Sequence, residues 1–231
     1  MNLTTHPDVP APKTHSTGQR RSAATALIAS AVIFFLAEFI SAAAWTDHPY
    51  SYTYHYISDL GVRGPLVALN QYMYSPLAWV MNTGFFLFGI ATFAGVALLR
   101  GLSDRRGWGV RILAAVIGAG GVVLAFFHGD GKADQNGTLD YHSLGALAAI
   151  VGGNVLIILL GLMRRRIGVA QKPGQAMIGL GAFGLVSMVA FLGVAGANVL
   201  VGLVERCAVY PVLIGLICAG VSIWKNQFDQ S

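Results

Sequence analysis

Apolar residues gather in six long runs along this chain, parted by short stretches where Gly, Pro, Asn and charged side chains collect. A helix needs about 20 apolar residues to cross the hydrocarbon core of a bilayer. The runs Ala23–Trp45, Pro76–Leu99, Trp108–Phe127, Ser143–Met163, Met177–Ala197 and Val201–Trp224 all meet that length. The pattern predicts an all-α integral membrane protein of six transmembrane helices, paired as three in–out–in hairpins. Connections this short leave no room for a separate soluble domain. Residues 1–22, polar and rich in Pro, Thr and Ser, read as a disordered cytoplasmic tail. The membrane domain then covers 23–225, with a second cytoplasmic tail at 226–231.

The first run also has features of a signal peptide: Arg20 and Arg21 before it, and small residues Ala42–Ala44 near its end. Its length and the acidic Glu38 within it favour an uncleaved helix anchored by the arginine pair. Composition agrees with a membrane protein. The 231 residues are 55% hydrophobic and 11% charged, and a mean hydropathy of +0.63 excludes an ordinary soluble domain.

Charge sets the expected orientation. With the N-terminus inside, Lys13, Arg20, Arg21, Arg100, Arg105, Arg106, Arg111, Arg164, Arg165, Arg166, Lys172 and Lys225 fall on the cytoplasmic side. Only Arg63, Lys132 and Arg206 fall outside, so the positive-inside rule gives N-in, C-in across the bacterial plasma membrane. The net charge of +5 therefore points to anionic lipids of the inner leaflet rather than to nucleic acid. Membrane lipids and a small-molecule or lipid-like ligand are the expected partners. Cys207 and Cys218 lie too far apart on one helix to bridge each other, about 16 Å at 1.5 Å per residue.

The outer connections differ in size. Thr46–Ser75 is long and rich in Tyr, His, Asp and Gly, and its stretch Tyr54–Gly61 reads as a short interfacial helix stopped by Gly61. Pro65 is expected to open the second helix early, with Pro76 marking a kink. His128–His142 has turn chemistry, and Gly196–Asn198 is a tight turn. Small residues inside the runs (Ala91 with Gly95, Gly118 with Gly121 and Ala125, Gly181 with Gly184) predict close helix contacts. None of these glycines sits between a strand and a helix, so no phosphate loop is present.

Polar residues at the outer ends of the runs carry the candidate chemistry. Glu38 lies about 6 Å outward of the first span's midpoint, where an unpaired carboxylate is costly. It reads either as a proton carrier, ligand or catalytic acid, or as half of a structural pair with Arg206. His128-Gly129-Asp130 ends the third run and Asp140-Tyr141-His142 opens the fourth, so the antiparallel hairpin draws their side chains together. His128, Asp130 and His142 are candidate ligands for a divalent metal such as zinc, or an acid–base pair. The alternative is a helix cap at Asp140 and a solvated loop. Glu205-Arg206 opens the sixth run; Arg206 is either an anion-binding fork or a member of a structural network with Glu38, Asp59 and Glu205. Ser58-Asp59 supplies a nucleophile or ligand, or caps local turns. Asn82 and Asn154 are expected to make interhelical hydrogen bonds. All histidines beyond the tail lie outside the membrane core, so haem ligation is disfavoured.

This arrangement resembles the bacterial integral membrane proteins grouped as domain of unknown function 998, from about Ala23 to Trp224. The resemblance is carried by Ile57-Ser58-Asp59-Leu60-Gly61, Phe127-His128-Gly129-Asp130, His142 and Glu205-Arg206. It implies a six-helix fold with one polar outward-facing site, and no assigned reaction.

Three functions fit these residues. The first is a membrane-embedded hydrolase or transferase, with or without a divalent metal, acting on lipid-like substrates, with catalytic residues drawn from Glu38, Ser58, Asp59, His142, Glu205 and Arg206. In that reading His142 is a ligand or base and Arg206 holds an anionic headgroup. The second is a small or proton-coupled carrier built on Glu38, against which the inner halves of the spans are poor in polar groups. The third is a non-enzymatic membrane sensor or subunit.

Overall fold

A computed structural model describes residues 15–46, 48–68, 71–130, 137, 139–197 and 199–228. Among them are six helices long and apolar enough to cross a membrane: α1 (His15–Ala44), α2 (Ala78–Ala97), α3 (Arg105–Phe126), α4 (Leu139–Leu162), α5 (Gln171–Val194) and α6 (Val201–Phe228). The six expected spans are all present, with ends shifted by a few residues. The largest shift is in α1. It reaches back to His15, so residues 15–22, expected within a polar tail, are helical. Residues 1–14 and 229–231 lie outside the described residues, as do Lys13, Lys132 and most of the expected turn between His128 and His142.

Successive helices pack side by side, and α6 closes against α1, so the bundle is a ring in which α4 also touches α6 across the middle. Small residues set the spacing. A Cβ on Gly84 of α2 would come within 2.4 Å of the Ala37 methyl of α1, and one on Gly121 of α3 within 2.7 Å of the Phe85 carbonyl. Gly118 and Gly121 meet Gly89, as the small-residue pattern anticipates. Asn154 donates across the bundle to the Ala208 carbonyl at 2.8 Å and down its own helix to Ile150. In hydrocarbon no water is at hand to satisfy that amide, so the interhelical bond is the expected use.

The alternation of direction gathers the arginine-rich connections at one end of the ring and the long α1–α2 connection at the other. That connection is structured. A turn of 3-10 helix at Ser58–Gly61 replaces the longer interfacial helix expected over Tyr54–Gly61, and it does end at Gly61. Pro65 does not open α2. Instead β1 (Leu66–Ala68) pairs antiparallel with β2 (Gln71–Met73), with Leu66 opposite Met73, and α2 begins only at Ala78. The reason lies in the period: Gln71 and Met73 point inward on alternate positions and Met73 is fully buried, a two-residue repeat that a helix cannot use.

Candidate functional site

Arg206, one turn into α6, is the hub of the loop end. Its Nε donates to Glu38 Oε1 of α1 at 2.9 Å, and its Nη2 lies 2.9 Å from the same oxygen. Nη1 donates to the carbonyls of Tyr52 (2.8 Å), Gly202 (2.9 Å) and His55 (3.2 Å), and Nη2 also donates to the Tyr50 hydroxyl. The guanidinium lies over the Tyr52 ring, 4.9 Å from its centroid. Tyr210 donates a further bond to Glu38 Oε1 at 3.0 Å. Glu38 is completely buried and Arg206 5% exposed, so this is a buried ion pair that also fastens the α1–α2 connection onto α6. Gly202 makes the close approach possible, since a Cβ there would stand 2.2 Å from the His55 carbonyl oxygen.

Two further carboxylates hold the same connection by its backbone. Asp59 accepts from the Tyr56 N–H at 2.9 Å and Glu205 from the Ile57 N–H at 2.6 Å. Both act as caps for the turn that carries Ser58. Burial, reinforced by the neighbouring Glu205 carboxylate, raises the Asp59 carboxyl well above its ordinary range. Burial and the nearby Arg206 charge lower His55. That favours the neutral ring, whose Nδ1 accepts from the Ser51 N–H at 2.9 Å. Tyr56 completes the anchoring by donating to the Ala195 carbonyl at 2.9 Å, just past α5.

The expected single cluster therefore divides in two. Glu38, Asp59 and Arg206 belong to the clamp. Ser58, His142 and Glu205 border open space instead. They line an apolar cavity of about 50 Å³ inside the ring, between Phe34, Phe88 and Val209. The same three residues also line a groove of about 530 Å³ between α4 and α5, walled by Leu147, Met188 and Phe191. His142 is held by a bond from Nδ1 to the Phe127 carbonyl at 2.8 Å. A carbonyl only accepts, so Nδ1 carries the hydrogen, and in the neutral ring Nε2 is left with its lone pair. A Cβ on Gly129 would stand 3.3 Å from Nε2, so the absence of a side chain there keeps that face of the ring open.

The other sequence candidates lie elsewhere. His128 Nε2 is 3.0 Å from Asn82 Nδ2 and 3.2 Å from the Ala125 carbonyl, and Asn82 also donates to the Gly61 carbonyl at 3.0 Å. Among the described residues, no three His, Cys, Asp or Glu side chains gather as a metal centre would need. His128 is turned to Asn82 instead, so among the described residues His128, Asp130 and His142 do not form such a group. Arg206 likewise departs from the expected headgroup fork, because every guanidinium nitrogen is engaged within the protein and the side chain is buried. The tyrosines of the clamp, Tyr50 and Tyr210, were not singled out from sequence. The aromatic density of the 46–75 connection was the available signal for Tyr50, whereas nothing local marks Tyr210.

A family model described as "Protein of unknown function (DUF998)" matches residues 28–222, which take in both the clamp and the site. No curated protein and no solved structure matches the chain.

Proposed function

The chain belongs to the DUF998 family of proteins of unknown function, and from that premise we propose that it is an intramembrane hydrolase or transferase acting on a lipid-like substrate. The observation that carries this reading is the meeting of an apolar groove and an apolar cavity at one wall formed by Ser58, His142 and Glu205. An acyl chain suits the groove between α4 and α5, and its polar end then reaches Ser58 and His142. By the positive-inside rule the arginine-rich end faces the cytoplasm, which puts this wall at the outer headgroup depth of a bacterial plasma membrane.

The chemistry follows from the groups present. Ser58 Oγ attacks an ester carbonyl of the substrate while its proton passes to His142 Nε2. The new Oγ–carbon bond forms, the ester carbon–oxygen bond breaks, and His142 returns the proton to the leaving alcohol. Water, or a second alcohol in a transferase, then repeats the exchange and frees Ser58. The Phe127 carbonyl orients His142 by holding its Nδ1–H. Glu205 acts as a positioning residue, because its bond to the Ile57 N–H fixes the residue just before Ser58.

An alkyl fluorophosphonate tests this reading directly on protein reconstituted in nanodiscs. The expected result is one adduct per chain at Ser58, absent in Ser58→Ala and formed about a hundredfold more slowly or worse in His142→Gln, as loss of a general base predicts. Wild-type protein that melts cooperatively and forms no adduct would overturn the assignment of Ser58 as nucleophile.

A further inference from the structure

At the opposite, arginine-rich end, far from this wall, α3 and α4 leave a second groove of about 690 Å³. Val110, Leu159, Leu162 and Met163 give it apolar walls, and Arg106, Arg164, Arg165 and Arg166 stand around its rim. Nothing lies within 4 Å of where a Gly109 Cβ would be, so the α3 side is open. Leu162 is 61% exposed and carries the apolar wall outward onto the lipid-facing surface of α4. Among the described residues no carboxylate lines the groove. Asp104 beside it pairs with Arg166 and accepts from the Gly107 N–H, and among the described residues no carboxylate pairs with Arg106, Arg164 or Arg165. The Arg164 stem lies against Gly174 of α5, where a Cβ would come within 2.5 Å of its Cδ, so its course is set by packing.

We propose that this groove binds an anionic phospholipid, with the phosphate on the arginine rim and one acyl chain along Val110, Leu159 and Leu162. Guanidinium forks match phosphate oxygens in pairs. Basic pockets between helix ends at headgroup depth favour anionic over zwitterionic lipids. The apolar walls distinguish the occupant from a free phosphate, which would use the rim alone.

The test is native mass spectrometry of the full chain in non-ionic detergent, titrated with phosphatidylglycerol or phosphatidylcholine of matched chains. Wild type is expected to bind phosphatidylglycerol about tenfold more tightly or better. Arg106→Gln/Arg165→Gln, two exposed positions whose loss leaves packing untouched, should lose that preference, in line with two basic contacts removed. Lys172→Gln, near the separate groove between α5 and α6, should keep it. Glycerol phosphate at equal concentration should not displace the lipid. Equal binding of the two lipids, an unchanged preference in the arginine double variant, an equal loss in Lys172→Gln, or displacement by glycerol phosphate would each overturn the proposal.

Discussion

Arg206 shows how one buried charge can organise the loop end of a membrane protein. A guanidinium at 5% exposure is tolerable only because Glu38, three carbonyls and a tyrosine hydroxyl surround it. Removing either partner of a buried pair strands the other, at a cost of about 3–5 kcal/mol. Glu38→Leu and Arg206→Met should each lower the melting temperature in detergent. Their combination should cost less than the sum by more than about 1 kcal/mol, as coupled contacts do. Additive effects in that cycle would show that the pair is not the organising contact. Asp59 gives a pH signature. Its folded-state carboxyl titrates above the unfolded one, so between the two values the native state holds more protons and stability falls as pH rises. Asp59→Asn keeps an acceptor for the Tyr56 N–H and has no proton to lose. Its melting temperature should decline less than wild type's from about pH 4 upward, where carboxylates begin to ionise. Parallel curves would contradict the burial of Asp59 as an acid.

At the scale of elements, the site depends on one irregular connection held between α1, α5 and α6. Just before the turn at Ser58–Gly61, the Tyr56 and Ile57 N–H groups donate to Asp59 and Glu205, while the Tyr56 hydroxyl fastens the connection to the end of α5. At Gly202 this connection lies close against α6. Gly202→Ala should destabilise the protein by about 1–3 kcal/mol, the usual range for overpacking, and weaken labelling of Ser58 because the turn must move. Gly179→Ala on α5 meets nothing within 4 Å and should leave both stability and labelling at wild-type levels or slightly improved. Equal effects of the two substitutions, read by thermal unfolding and adduct yield, would remove the connection from the account.

For the whole molecule, the six helices were legible because each run meets the bilayer's length requirement, and their small residues foretold the close contacts at Gly118, Gly121 and Gly184. The interhelical bond of Asn154 was legible for the same physical reason, an amide with no water to turn to. The β1–β2 hairpin was obscured by Pro65 and Pro76, because proline favours the first position of a helix and so read as a helix start. The site was legible as a set of residue types but not as a partition. Glu38, Ser58, Asp59, His142, Glu205 and Arg206 share one end of the ring. Which of them face a cavity and which face each other depends on side-chain directions across four elements, and no spacing in the chain records that. Zinc-like chemistry was suggested by His128 and His142 at the two ends of one hairpin. Asn82 on α2, forty-six positions from His128, takes that histidine away.

The central claim is that lipid-like substrates react at the wall of Ser58, His142 and Glu205. Lipid mass spectrometry of mixed-lipid vesicles carrying wild type or Ser58→Ala tests it most directly. The expected result is a new deacylated or exchanged lipid that accumulates with time in the wild-type vesicles and is absent with a Ser58→Ala protein of equal melting temperature. Unchanged lipids in both, or the same product from both, would contradict it.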